Sequence, residues 1–348
     1  MVINVRFGII GCGKIAQEGH IPALKKLSKR IELVAVADIN LSVAKKIAKR
    51  YKIPFYFKDY RKLLRRDDVD AVIISTPTPY HAQISINAAE AGKHILVEKP
   101  LAMTLDEALE IERVVKLHNV KISVVQNYRY FPAVKTVKRR IQSGYLGRIV
   151  SLFGVAHTKF PILWTRSLWL YHEGGALYDF APHLIDMLLW LKDIKDPKQI
   201  VEVNAAGGDF LPNAGFINHA QLFIKFKDKS SATADISWIT DPYLFNIQIF
   251  GTGGRITLDV RFNTFIEEHG TQTPLDFIKR SIIPLRDVTR DILRKSFFKG
   301  ALSFYSELIY DFVEYIEKKR PPPVSLKESI ASILVIDKAL KLLRQGGL

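Results

Sequence analysis

Cysteine is almost missing from this chain: Cys12 is the only one among 348 residues. An intramolecular disulfide is therefore impossible, and a cysteine-rich metal site is excluded. No metal ion is expected. No apolar run approaches the roughly 20 residues that cross a bilayer, so no integral membrane segment is expected. A strand-like run starts almost at the first residue and leaves no room for a signal peptide. A cytoplasmic location follows as the expectation. Zinc-finger spacing, a helix-turn-helix pattern and an RNP-like aromatic motif are all lacking, and no nucleic-acid partner is expected. Internal repeats and low-complexity linkers are lacking too. Acidic residues are in deficit, with 35 Asp and Glu against 51 Lys and Arg and a net charge of +16. Such a field concentrates anions near the surface, yet the basic residues are scattered, as on a basic but ordinary surface.

What is present is ample apolar material, 48% of residues, in a length that favours two domains. The most informative string is Gly8-Ile9-Ile10-Gly11-Cys12-Gly13-Lys14-Ile15-Ala16. It follows an apolar strand pattern (Val5 to Ile10) and opens a helical one, predicted over about 15–28. Gly11, Gly13 and Ala16 stand in G-x-G-x-x-G/A spacing. The first glycine allows a tight turn, the second lets a pyrophosphate approach the backbone, and the small third residue lets helix and strand pack. The N–H groups at such a helix start attract phosphate. A second apolar strand, Leu33 to Ala37, ends in Asp38, the acidic residue expected to bind a ribose diol. Gly11, Gly13, Lys14, Ile15 and Asp38 are thus candidate dinucleotide-binding residues. A carboxylate at 38 favours NAD over the 2′-phosphate of NADP. Lys45 and Lys46 keep NADP open as the alternative.

Through residue 126 strand and helix patterns alternate, and the strands are apolar throughout rather than alternating. That combination predicts a parallel, doubly wound sheet covered on both faces. Ligands then bind beyond the carboxyl ends of the strands. Two further strand ends carry chemistry. Ala71–Ser75 leads into Thr76-Pro77-Thr78-Pro79-Tyr80-His81, where two prolines predict an extended loop along the cofactor. His94–Val97 leads into Glu98-Lys99-Pro100, which holds a lysine on rigid backbone. Thr76, Pro77, His81, Glu98 and Lys99 join the cofactor-binding candidates. Thr104 and Glu107 predict a capping box for a helix over 105–117.

From residue 127 the pattern changes to an α+β domain, 127–348. Ala133–Ser143 is a basic amphipathic helix. Residues 173–186 read EGGALYDFAPHLID. On one helix, Asp179 and His183 are four apart and share a face, with Asp186 close by. A histidine can take a proton at neutral pH while a carboxylate orients it or the substrate. Residues 200–260 read as consecutive strands, hence a largely antiparallel sheet. Its helix-free face would be a natural oligomer surface. Residues 275–300 carry seven basic against three acidic residues, interleaved with Ile, Leu and Phe. They read as a helix pair on the sheet or as a membrane-surface contact.

Together these motifs resemble the glucose–fructose oxidoreductase / inositol dehydrogenase (Gfo/Idh/MocA) family. The resemblance runs along nearly the whole chain. It is carried by Gly11-x-Gly13-x-x-Ala16, Thr76-Pro77 with His81, Glu98-Lys99-Pro100, Gly174-Gly175-Ala176, and Asp179 with His183. Tyr305 to Phe312 and Arg320-Pro321-Pro322-Pro323 fit as well. Ala181-Pro182 departs from the family, where a glycine and a small apolar residue are usual, and predicts a shifted helix start. The resemblance implies an NAD(P)-dependent dehydrogenase of a sugar, cyclitol or sugar-derivative hydroxyl. It makes His183 the general base, Lys99 the group that hydrogen-bonds the reacting oxygen, and Asp179 the residue that holds the substrate hydroxyl or the lysine. Arg129, Trp164, Arg166, Tyr171 and His172 become candidate substrate contacts. A homodimer or homotetramer is the family expectation. Two other readings stay open: a non-catalytic NAD sensor, and a membrane-surface dehydrogenase of a lipid- or nucleotide-linked sugar.

Overall fold

The computed structural model describes residues 5–159, 175–211, 215–270 and 296–345, with side chains from residue 304 onward in the last span. Contacts divide the chain into two units, Met1–Asn127 with Phe298–Ser329, and Tyr128–Phe297 with Ile330–Leu348.

The first unit is built on β1 (Val5–Ile10), β2 (Ile31–Ala37), β3 (Phe55–Phe57), β4 (Ala71–Ile74), β5 (His94–Val97) and β6 (Ile122–Val124). They run in the order β3-β2-β1-β4-β5-β6, and every neighbouring pair is parallel. This is the α/β Rossmann architecture that the apolar strands predict. All four residues of β4 are buried, because helices cover both faces. The chain reverses direction across the sheet between β1 and β4. Beyond their carboxyl ends lies the crevice where such sheets bind ligands.

Two local expectations change and a third holds. The single helix over 15–28 is a π-helical turn, Ala16–His20, followed by an α-helix, Ile21–Lys26, with Pro22 in its first turn. Proline lacks an N–H and fits a helix start, not a helix interior. The proline loop is extended only at Pro77; Thr78–Tyr80 winds into a 3-10 turn. The capping box forms as expected, with the Glu107 N–H donating to the Thr104 hydroxyl at 3.2 Å.

Residues 298–329, which the sequence reading placed with the second domain, group with the first unit. The reasons are visible in contacts along the helix Ser296–Ile316 and just past it. Phe312 packs on Phe7 of β1. Arg30 donates to Glu314 and Glu317, both at 2.6 Å. The Ser123 hydroxyl of β6 donates to the Val324 carbonyl at 3.0 Å.

The second unit carries β7 (Ile149–Lys159), β8 (Ile200–Gly208), β9 (His219–Phe226), β10 (Ser231–Ser237), β11 (Ile239–Gly251), β12 (Gly254–Asp259) and β13 (Thr264–Glu268). Their order is β13-β12-β11-β7-β10-β9-β8. Every pair is antiparallel except β7 with β10. The helix Ala181–Lys192 covers one face. Gly154 of β7 lies directly beneath Leu184 and Leu188, which lets the helix close on the sheet. The other face alternates outward, as the run HAQLFIKF of β9 shows.

The basic segment 275–300 lies outside the described residues except for its last five, which begin the helix Ser296–Ile316. Among the described residues no helix is long and apolar enough to cross a membrane.

Candidate active site

In the first unit the three strand ends chosen from sequence come together as a connected set. Gly11 takes a φ of +93°, and a Cβ there would stand 2.6 Å from the Ser75 carbonyl oxygen. Only glycine meets both conditions. Above Gly13 nothing lies within 4 Å of a built Cβ, so the turn presents open backbone. The Asp38 carboxylate, at the end of β2, accepts from the Cys12 N–H and the Asn40 N–H, each at 2.8 Å. The acid is thereby fixed against the glycine turn. Buried Cys12 fills the floor; burial, then the Asp38 charge, pushes its thiol up to about 12. It is a packing residue, not a nucleophile. Gly11, open Gly13, the helix start with its unshared N–H groups, and the fixed carboxylate fit a dinucleotide.

His81 is 1% exposed. Its ring stands between two carbonyl oxygens, Thr76 at 2.8 Å and Pro100 at 2.8 Å. A neutral imidazole has one N–H, so the ring donates to one of these carbonyls and only packs against the other. His81 lies buried between the Thr76-Pro77 loop and the Glu98-Lys99-Pro100 turn rather than open to a cofactor, which corrects the expectation that it touches one. Burial is the largest influence on its pKa and lowers it. The Lys99–Pro100 peptide is cis. Glu98 is held by a group that the sequence reading passed over, His20, whose Nε2 lies 2.8 Å from Oε1. The signal available was a histidine one turn after a glycine fingerprint, which by itself marks nothing.

In the second unit the expected single helix over Asp179, His183 and Asp186 is broken. One short helix, Gly175–Asp179, ends at Asp179, and a second, Ala181–Lys192, begins with Pro182 in its first turn. Gly175 enters the first with φ +54°, where a Cβ would collide with the Ile217 carbonyl. Spacing along one helix therefore does not relate Asp179 to His183. A residue missed from sequence does: Tyr128 meets the His183 ring edge-on at 4.7 Å, and the Asp179 charge acts on the same phenol. Burial, and then the charge interaction and hydrogen bond with Tyr243, holds the Tyr128 hydroxyl well above its ordinary value. Phe245 backs the ring at 5.1 Å.

Arg129 does not stand free for a substrate. Its guanidinium forks onto Asp186 at 2.8 and 2.6 Å, with side chains 5% and 2% exposed, and the Trp190 ring lies 5.2 Å away. This corrects its expected role, because a bidentate buried pair spends the charge internally. Trp164, Arg166, Tyr171 and His172 lie outside the described residues.

Residues 5–126 match the NAD-binding Rossmann domain of the GFO/IDH/MocA oxidoreductases, and residues 134–257 match the C-terminal domain of the same proteins. The chain belongs to the Gfo/Idh/MocA family. Among its members, an uncharacterized oxidoreductase of Bacillus subtilis, YrbE, is 31% identical over 77% of this chain and 77% of its own. The scyllo-inositol 2-dehydrogenase (NAD(+)) of the same species is 30% identical over 73% of each. Among solved structures, the WlbA dehydrogenase of Bordetella pertussis, in complex with NADH and UDP-GlcNAcA, superposes with a TM-score of 0.82 at 20% identity, over 99% of this chain and 97% of that one. As a Gfo/Idh/MocA protein, this chain is an NAD(P)-dependent dehydrogenase whose Rossmann domain binds NAD.

Proposed function

We propose that this dehydrogenase interconverts a hydroxyl and a ketone on a sugar, cyclitol or sugar derivative, with Lys99 and His183 handling the proton. The observation that carries the reading is Lys99, set at the carboxyl end of buried β5 in a turn tied through Glu98 and Pro100 to two buried histidines. Gly11, Gly13, Lys14, Ile15, Thr76 and Pro77 would hold the dinucleotide, with Asp38 on the adenosine ribose. Asp38 disfavours a 2′-phosphate, so NAD is preferred. When bound, the cofactor supplies the hydride acceptor or donor. Alcohol oxidation also releases a proton from oxygen. The Lys99 ammonium stabilises the negative charge that develops there, and the His183 imidazole accepts the proton. Asp179 orients the hydroxyl or the base. Tyr128, packed against the imidazole, limits its rotation.

A screen of polyols, aldoses, inositols and sugar nucleotides with NAD and then NADP, read by the absorbance of reduced nicotinamide, tests this. Turnover of one class, faster with NAD, is the expected result. Silence across the panel with NAD binding confirmed overturns the substrate class. Lys99→Met is expected to lower turnover at least ~100-fold while NADH still binds; unchanged turnover removes Lys99 from the reaction.

We also propose that the exposed face of the mixed sheet mediates self-association. Thr233 of β10 pairs with Phe153 of β7 on one side and Phe223 of β9 on the other. The two phenylalanines are 40% and 41% exposed, and they form an apolar row across three strands.

A further inference from the structure

His20 is a fully buried polar side chain beside the Glu98-Lys99-Pro100 turn, and nothing in the packing requires it to be histidine. The chain leaves the glycine turn through the π-helical Ala16–His20, where the Ile21 N–H reaches the Ala16 carbonyl five residues back. The wider turn delays the register by one residue; such turns are frequent at functional sites. It brings His20 inward, 0% exposed. Gly19 beside it leaves room for Tyr305, whose ring would lie 3.0 Å from a Cβ at 19. That ring meets the imidazole edge-on, centroids 4.9 Å apart and planes at 80°.

Within this apolar wall the Glu98 carboxylate is the polar contact, Oε1 at 2.8 Å from Nε2. Among the described residues Nδ1 has no hydrogen-bond partner. Burying an imidazole with one nitrogen unpaired forfeits that nitrogen's hydration. A leucine or methionine would fill the space without that loss, so the donor itself is the feature that needs a reason. Facing a carboxylate oxygen, Nε2 carries the proton and donates to Oε1. The second oxygen of the same carboxylate, Oε2, accepts from the Lys99 backbone N–H at 3.3 Å. Glu98 is thus pinned on one oxygen and grips the main chain of Lys99 with the other.

We propose that His20 is a positioning residue for Lys99: its Nε2–H fixes the Glu98 carboxylate, and through it the backbone from which the Lys99 ammonium is presented. This rests on the reading of Lys99 as a proton-handling group. The two fail separately in the following experiment. Acetic anhydride labelling of Lys99 is followed across pH by mass spectrometry in the full-length wild type, His20→Ala, His20→Gln and Glu98→Gln, with the exposed Lys58 as internal control. Melting and NADH binding are measured alongside. His20→Ala and Glu98→Gln are each expected to change the Lys99 rate by about tenfold, the low end of what one hydrogen bond to a charged group is worth, with Lys58 unmoved. His20→Gln places an amide N–H at the same number of bonds from Cα and restores the wild-type profile. A Lys99 profile identical to wild type in folded His20→Ala and Glu98→Gln overturns the proposal. So does a change shared with Lys58, or a failure of His20→Gln to restore. If His20→Ala does not fold, Glu98→Gln and His20→Gln decide. The labelling reads the surroundings of Lys99 whatever its role; turnover of Lys99→Met tests that role.

Discussion

The two sheets bury apolar side chains by opposite arrangements. In the parallel sheet both faces are covered, and strands such as Ala71–Ile74 are buried at every position. Polar function is left only at the strand ends, and Gly11, Asp38, Ser75 and Lys99 all follow a carboxyl end. In the mixed sheet one face is covered by the helix Ala181–Lys192, and β9 alternates buried and exposed from Ala220 to Phe226. Its candidate catalytic residues, Asp179 and His183, lie instead on the helices that precede β8. The proton-handling groups proposed above thus lie at a strand terminus in one unit and beside a helix break in the other.

The sharpest way to break that comparison is to ask whether Arg129 belongs to the reaction or to the scaffold of the helix Ala181–Lys192. Asp186→Ala strands a buried guanidinium and is expected to cost about 3–5 kcal/mol of stability in urea unfolding. Arg129→Met strands the carboxylate with a similar loss. The double change Arg129→Met, Asp186→Leu recovers most of it, because the uncompensated charge is gone. An Arg129→Met enzyme that keeps its stability but shows a raised KM would return Arg129 to the substrate.

A smaller effect on the monomer, read as assembly, tests the bare face. Phe223→Lys puts a charge in the row Phe153–Thr233–Phe223. The side chain is 41% exposed, so its stability cost stays within about 0.5 kcal/mol, the range for surface changes. Sedimentation is expected to show a lighter species than wild type. Unchanged mass at equal concentration would place self-association elsewhere.

The same contrast explains what could be read from sequence. Uniformly apolar runs between glycines and prolines gave β1, β4 and β5 nearly to the residue, and with them the addresses of Gly11, Thr76 and Lys99. The capping box at Thr104 was legible because both partners are three residues apart. Asp179 and His183 were legible as residues, but their shared helix was not: Pro182 starts a new helix, and periodicity takes no account of the break at Phe180. Arg129 looked available because its partner, Asp186, is distant in sequence. His20 and Tyr128 left no pattern at all, since their roles come from Glu98 and His183. The return of residues 298–329 to the first unit depends on Phe7, Arg30 and Ser123, contacts that no local window contains.

The smallest expected effect is a pH dependence at the rim of the mixed sheet. Asp228, in the turn between β9 and β10, receives the Lys192 ammonium at 2.6 Å, which ties the end of the covering helix to the hairpin. Burial raises its pKa, but hydrogen bonds from Lys192 and from the Ser230 hydroxyl and N–H outweigh it and bring the carboxyl from 3.8 down to about 2. A folded pKa below the unfolded one means the tie contributes in full above the unfolded value. It is lost as pH falls from about 4 through about 2. The carboxylate is 47% exposed, so salt screens it and the contribution is modest. Asp228→Asn is therefore expected to be slightly less stable than wild type near neutrality, with the gap closing in acid and narrowing in high salt. Urea midpoints for both proteins across that range decide it. A gap independent of pH would assign the loss to the Ser230 hydrogen bonds rather than to the charge, and would leave the helix end tied to the sheet by packing alone.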